Sequence, residues 1–578
     1  MNNKKEFSKE FIKLRAFTLF EFGAAIIFTI LELSFHADIS LLAFPLAAAY
    51  LALTFWFLIK KIFFETDGKR LLLAIKLNEY LPYFLFITFI LRRAGNDGTS
   101  FVVDVFAVIS WFIIFVFAYL NSRKLYFPKN KVLFKNWSVV PVEKVYKGNT
   151  KIFAEIVEWV DAFFWSIFTA LIFQIFVIQL YGIPSESMVP TFLVKDKVFV
   201  SKIDCGPKFP LTDVGLPDFR HYKRGDTIVL RNPHYTIDRK SEVKTVVSNL
   251  VYMFSLTTVQ LNKDADGKQI SDPLVKRIAG LPGEQLVMQD GTLYRRTINS
   301  DVFEPVELDS KYATWNLNAL SKKIKPYIQE FPLSASGYQV LLDFEEQRRN
   351  FDLAIAEYQA YEMAREFSRL AVLNKDAGTF SCPYYDEGFF YGNRKQLAKD
   401  LYMKEGGTEW FVKFMTSWIP SKNDVRDIYS EANFKLNVMA KIYFGKTVLE
   451  YAKLLKQNVP ENKWDEGEEI KALLNDFMIH YYYVQELLDL RNMPVFPSDD
   501  KEGNPQYIPQ DCYFMMGDNR FNSLDLRHSY ERTEKSLASS DPLSLTYQSL
   551  MAPQYIHKKY VIGKPLFRIL PLRRFGKV

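Results

Sequence analysis

Five apolar runs, each near twenty residues long, crowd into the first 181 residues: roughly 16–34, 41–63, 72–91, 102–120 and 162–181. No other feature constrains the fold as strongly. A helix of ~20 apolar residues matches the hydrocarbon thickness of a bilayer. The third run is the weakest, because Lys76, Asn78 and Glu79 interrupt it. The charges between the runs test the set. Lys4, Lys5, Lys9, Lys13 and Arg15 precede the first run. Lys60, Lys61, Lys69 and Arg70 follow the second, and Arg123, Lys124, Lys129, Lys131, Lys135, Lys144, Lys147 and Lys151 follow the fourth. The alternate connections carry no lysine or arginine between His36 and Ser40, and then Arg92 and Arg93. A buried helical core has no reason to alternate in this way; a multi-pass membrane protein does. The pattern predicts a cytoplasmic N-terminus and places everything after residue 181 outside. The first run is too long, and too closely followed by others, for a cleavable signal peptide.

Composition adds exclusions. Net charge is +7, from 73 basic and 66 acidic residues in 578, and no compact basic patch with interleaved aromatics supports nucleic-acid binding. Cys205, Cys382 and Cys512 are far apart and show no metal-ligand spacing, so no metal or cofactor site is expected.

Beyond the membrane region (1–181), residues 182–300 read as the first part of a β-domain. In Lys197–Ile203, residues 198, 200 and 203 fall on one face, and Thr227–Leu230 follows a turn. Residues 301–495 change to a helical pattern, with Phe344, Phe351, Ile355 and Tyr358 at spacings of seven, four and three. β-like sequence resumes over 496–578. The helical block therefore reads as an insertion whose two ends lie close together. Val246–Leu256 is apolar but short of bilayer length, and reads as an interfacial or packed amphipathic element.

Three strips carry chemistry. Pro184-Ser-Glu-Ser-Met-Val-Pro-Thr191 stands just past the fifth run, Lys276-Arg-Ile-Ala-Gly-Leu-Pro-Gly-Glu284 follows about ninety residues later, and Gly517-Asp-Asn-Arg-Phe-Asn-Ser-Leu-Asp-Leu-Arg527 comes near the C-terminus. A serine nucleophile needs a base. None of the six histidines stands in a triad context, and no G-x-S-x-G elbow exists. A lysine serves as base once burial lowers its pKa, and Leu274-Val275-Lys276 offers an apolar setting. Alone, a serine in such a place is a turn residue and such a lysine a surface residue; the three strips in this order point elsewhere.

In these strips the chain resembles bacterial type I signal peptidase, the serine/lysine protease of peptidase family S26, over about a third of its length. The resemblance implies a polytopic α-helical membrane region plus a mostly β external catalytic domain. It implies Ser187 as nucleophile and Lys276 as general base. Ser185 and the Ser187 N–H would hold the oxyanion, Ser523 would orient Lys276, and Asp525 with Arg527 would prop the site. Ile183, Met188, Phe192, Leu274 and Val275 match the lining of the pockets for small P1 and P3 residues. The implied activity is removal of signal peptides from exported preproteins at the outer face of the cytoplasmic membrane. No cofactor is implied; the partners are signal peptides, the lipid bilayer and, as a candidate, the translocation machinery. A processing protease for one or few substrates, or an inactive scaffold, are the competing readings. Two positions depart from the family pattern: Phe521 stands where Asp is usual and Leu526 where Ser is usual. His528-Ser529 replaces an aromatic-Gly pair.

Overall fold

The computed structural model describes residues 2–32, 43–64, 71–93, 100–126, 149–235, 239–255, 259, 261, 263 and 272–578. Five long helices come first: α1 (Asn2–Glu32), α2 (Ala43–Ile59, continued by a wider turn over Lys60–Phe64), α3 (Leu71–Arg93), α4 (Phe101–Tyr126) and α5 (Asn149–Phe176). Each contains a stretch long and apolar enough to cross a membrane: Ile12–Leu31, Ala43–Phe64, Leu71–Arg93, Phe101–Leu125 and Glu155–Phe176. The polar residues of the third are accommodated by partners. Lys76 pairs with Glu79 (3.0 Å) and with Asp161 of α5 (2.7 Å). The loops at 33–42, 65–70, 94–99 and 127–148, which hold much of the alternating charge, lie outside the described residues.

The rest of the chain folds as strands around a helical block. The strands are β1 (Ile178–Gly182), β2 (Lys197–Ser201), β3 (Thr227–Leu230), β4 (Leu274–Gly280), β5 (Glu284–Gln289), β6 (Thr292–Thr297), β7 (Ser300–Pro305), β8 (Met493–Phe496), β9 (Cys512–Met516), β10 (His528–Ser536), β11 (Thr546–Met551), β12 (Ile556–His557), β13 (Val561–Leu570) and β14 (Gly576–Lys577). An antiparallel sheet runs β1-β2-β13-β3-β4-β9-β12, with β14 on β13; a second runs β7-β6-β5-β8; β10 and β11 form a hairpin. Side-chain alternation divides the large sheet's two faces. Val198, Val200 and Val229 enter one cluster, and Ile228, Leu230 and Ile278 the other. Ile203, expected on the Val198 face, is half exposed because the strand ends at Ser201 and the chain turns there.

Between β3 and β4 lies α6 (Arg239–Phe254), which covers the Val246–Leu256 stretch as far as Phe254. Its Val243, Val246, Leu250 and Met253 pack against the membrane bundle, and Phe254 meets Phe163, Phe164 and Phe168 of α5. This is a packed element, as expected.

The helical block comprises α7 (Glu307–Tyr312), α8 (Ala335–Arg349), α9 (Leu353–Leu370), α10 (Glu387–Gly392), α11 (Arg394–Met403), α12 (Gly407–Thr416), α13 (Ile428–Lys456), α14 (Glu468–Tyr482) and α15 (Leu488–Arg491). The Phe344–Tyr358 periodicity does not belong to one helix. Asp352 caps α9 by accepting from the N–H groups of Ala354 and Ile355. The register breaks there, so Ile355 and Tyr358 are exposed and Ala356, Ala360, Met363 and Phe367 are buried instead. The ends of the block are also not adjacent. β7 and β8 form opposite edges of the four-stranded sheet, three strand spacings or roughly 14 Å apart. The block is anchored through the Asp290-Gly291 turn, where both residues have positive φ and glycine meets the demand at least cost. Arg348 of α8 grips the Asp290 carboxylate at 2.6 and 2.7 Å.

One loop ties the β-domain to the bundle. Phe209 and Leu211 are buried among the bundle's residues. Phe209 meets Phe86, Phe89, Trp111 and Phe176, with ring centroids 5.2–6.1 Å away. Arg93, counted from sequence as a loop charge, is fully buried here. It donates to the Leu211 carbonyl (2.9 Å) and pairs with Asp104 (2.5 Å).

Candidate active site

Lys276 sits in the middle of β4, flanked by β3 and β9, with Ile228 directly across. Leu274 shares its face of the strand; Val275 and Arg277 point to the other. The side chain is 2% exposed. Burial, the main cause, pulls its pKa from 10.5 down to about 8. Asp525 and Asp518 resist this and Arg527 assists it. Among the described residues, its Nζ donates to Ser523 Oγ at 3.2 Å and makes no ion pair.

Ser187 lies in the turn after β1 and is buried, while Ser185 is exposed, with 3.3 Å between the two hydroxyls. Asn519 N–H donates to the Ser187 carbonyl at 3.1 Å. Gly517 makes the approach of this turn to the third strip sterically feasible. A Cβ there would collide with the Ser523 hydroxyl and stand 2.5 Å from the Ser187 carbonyl oxygen. Lys276 and the Ser187 turn, distant in sequence, are thus both drawn to the Gly517–Ser523 strip.

Asp525 is spoken for. Arg527 donates to it at 2.8 and 3.0 Å, and the Gly517 N–H at 2.9 Å. Burial raises the Asp525 pKa, but the Arg527 guanidinium outweighs this and the net direction is down, below the usual carboxylate range. Arg277 donates to both Asp518 oxygens (2.7 and 2.6 Å) and to Thr191 Oγ1 (3.0 Å), which fastens the Ser187 turn to β4.

Four of the five pocket candidates meet. Ile183, Met188 and Phe192 are buried together with Val275 packed on them. Leu274 does not join them. It faces the opposite side of β4 and packs against the Ile228–Met515 core. Phe521 and Leu526 are both buried. Phe521 stacks edge-on against Trp315 at 5.1 Å, and Leu526 joins the β-domain core.

The helical block contributes residues that the motifs did not reveal. Asp309 pairs with Arg520 (2.6 Å), and Tyr312 stacks under Arg277 (3.6 Å to the ring centroid). Leu317 and Ile328 pack on Val189 and Leu193, just past the Ser187 turn. Glu186, beside Ser187, accepts from the backbone N–H groups of Gln329 and Glu330. No local sequence signal marks these residues, because each acts through a partner distant in sequence, from 35 positions for Tyr312 and Arg277 to more than two hundred for Asp309 and Arg520.

Residues 156–344 match the family described as signal peptidase, peptidase S26. The chain is similar to type I signal peptidases. The signal peptidase I of Buchnera aphidicola subsp. Schizaphis graminum (strain Sg) is 30% identical over 140 residues, which is 24% of this chain and 44% of that protein. That of Buchnera aphidicola subsp. Baizongia pistaciae (strain Bp) is 24% identical over 329 residues, covering 56% of this chain and 84% of the relative. That of Pseudomonas fluorescens is 35% identical over 78 residues, covering 14% and 28%. In the first and third of these, the chain spans less than half of the relative's length. The S26 match contains Ser187 and Lys276 and stops before the Gly517–Arg527 strip, which the fold brings back to them.

Proposed function

We propose that the chain is a membrane-bound serine endopeptidase that removes signal peptides from exported preproteins. Residues 1–181 form its multi-pass membrane region, with the N-terminus cytoplasmic. Residues 182–300 and 496–578 form the catalytic domain on the outer face, and 301–495 is its helical insertion. The observation that carries this reading is Lys276, a buried lysine with no carboxylate in contact among the described residues, held by Ser523.

Neutral Lys276 takes the Ser187 proton as Oγ attacks the scissile carbonyl. The amine moves from Ser523 Oγ toward Ser187 as the substrate docks, since catalytic hydrogen bonds tighten in the bound complex. The Ser187 N–H and Ser185 Oγ stabilise the oxyanion, each contributing on the order of 3 kcal/mol. Lys276 then passes its proton to the leaving amine, and water resolves the acyl-enzyme through the same base. Ile183, Met188, Phe192 and Val275 leave room for small P1 and P3 side chains. The dyad requires no cofactor for acyl transfer. The fifth span ends at Phe176, eleven residues before Ser187, so a peptide emerging from the bilayer meets the site.

The test is incubation of the detergent-solubilised full chain with a preprotein whose signal ends in Ala-x-Ala. Cleavage after the second Ala, absent in Ser187→Ala, is the expected result. Equal cleavage by Ser187→Ala overturns the reading.

A further inference from the structure

Within the helical bundle, α1, α3 and α4 enclose a polar cluster that the peptidase reading does not use. Glu21, Asn78 and Asn121 are all fully buried. Glu21 lies near the middle of its span, Ile12–Leu31. Asn121 Nδ2 donates to Glu21 Oε2 at 2.6 Å. Asn78 also faces this carboxylate, and its Nδ2 donates to the Ala118 carbonyl (3.2 Å) and Ser122 Oγ (3.3 Å). With the amide nitrogens so committed, the amide oxygens of both asparagines and Glu21 Oε1 remain. None of these three buried oxygens meets a protein donor. Nearby hydroxyls do not fill the need: Thr18 is turned back to the Leu14 carbonyl. Glu21 also has no ion-pair partner among the described residues. On the facing helix α4, Lys124 lies over the Phe17 ring at 4.3 Å.

A carboxylate inside a spanning bundle is costly without a counter-charge, and unmet acceptors in the same place add to the cost. Here three unmet acceptors belong to one buried cluster, and no positive charge pairs with Glu21 among the described residues. The geometry points to a sodium-binding site formed by the Glu21 carboxylate and the amide oxygens of Asn78 and Asn121, within reach of Ser122 Oγ. All its donor atoms are oxygens, the preference of hard cations. One carboxylate neutralises a single positive charge, so a monovalent ion leaves no net charge in the bundle, whereas magnesium or calcium leaves one. The site sits on three different helices, and the ion holds them together. The inference is independent of the peptidase chemistry.

The test is thermal unfolding of the full chain in detergent at constant ionic strength, with sodium chloride exchanged stepwise for choline chloride. The wild type is expected to gain several degrees in Tm as sodium rises, since an ion that binds only the folded state stabilises it by mass action. Glu21→Gln and Asn121→Leu are expected to show no sodium dependence. If neither variant folds, binding of radioactive sodium to the wild type, displaced by unlabelled sodium and not by choline, serves instead. A Tm that responds to acidification and equally in sodium and choline would assign a proton to Glu21 and overturn the sodium site. A Tm indifferent to both would overturn it as well.

Discussion

Among the described residues, two buried lysines donate to a serine, and on the proposed reading only one of them serves as a base. Lys276 donates to Ser523; Lys441, on α13, donates to Ser417 at 2.9 Å and to the Phe414 carbonyl at 3.1 Å. Burial lowers both, to about 8. The difference lies in the carboxylates. Asp541 touches Lys441 at 2.5 Å, with both side chains fully buried. Near Lys276 the carboxylates of Asp525 and Asp518 are each held by an arginine, Arg527 and Arg277. Lys441 is therefore one half of an ion pair, tying the helical block to the loop between β10 and β11. Lys276 is a cation whose natural partners are already taken. A buried Ser/Lys contact alone does not mark a catalytic dyad; on the proposed reading, the engagement of the nearby carboxylates is what separates the two.

The largest effect that separates the two sites is on turnover. Ser187→Ala and Lys276→Ala are each expected to lower kcat by at least ~10⁴-fold, with the double variant no worse than either single one. Ser417→Ala should leave kcat within a few-fold. A comparable loss in Ser417→Ala, measured on folded protein, would break the distinction.

Stability should separate them in the opposite sense. Lys441→Met strands Asp541 in the core and should cost about 3–5 kcal/mol in denaturant unfolding. Lys276 has a folded pKa below its unfolded value, so its charged form is disfavoured in the fold. That penalty is full below pH 8 and fades as the pH rises from 8 toward 10.5. Lys276→Met should therefore be stabilising at pH 7, by up to about 3 kcal/mol. A destabilised Lys276→Met would mean that the lysine holds the fold together.

Ser523 is the smaller lever. Ser523→Ala removes the one bond that orients Lys276 and should lower kcat roughly ten- to hundredfold, the worth of one hydrogen bond to a charged or charge-forming group, with KM little changed. The corresponding pH profile sharpens the point. The rate should fall about tenfold per unit below pH 8, as Lys276 gains its proton, and level off above it. A profile flat down to pH 6, with chemistry rate-limiting, would rule out a lysine base.

What was legible in the sequence follows the range of the interaction. The five spans, β2 and β3 follow from local pattern, and the three strips from the residues themselves. The resemblance puts Leu274 in the pocket beside Val275, but neighbours on a strand face opposite sides, and Leu274 packs into the β-domain core. The helix break at Asp352 was missed because its apolar spacing continues across a capping residue. Asp309, Tyr312, Leu317 and Ile328 were beyond reach. Their meaning depends on Arg520, Arg277, Val189 and Leu193, and no single-sequence pattern encodes such pairings. Phe521 is explained only by the fold: where the resembled family has a carboxylate, this chain sets an aromatic ring against Trp315 of the helical block, and Asp309 of the same block serves Arg520.

On the proposed reading, the Phe209–Leu211 contact bears on where a substrate is cut. With that loop seated in the bundle and Arg93 fastened to Asp104, the β-domain does not swing freely on the stem of α5. The height of the nucleophile above the span ends is then a fixed length. An extended peptide advances about 3.3 Å per residue, so a fixed height translates into a residue count from the end of a substrate's own apolar helix. On the proposed reading, the bundle is a ruler: loosening the Phe209 contact would blur the position of the cut across neighbouring residues while leaving the chemistry intact.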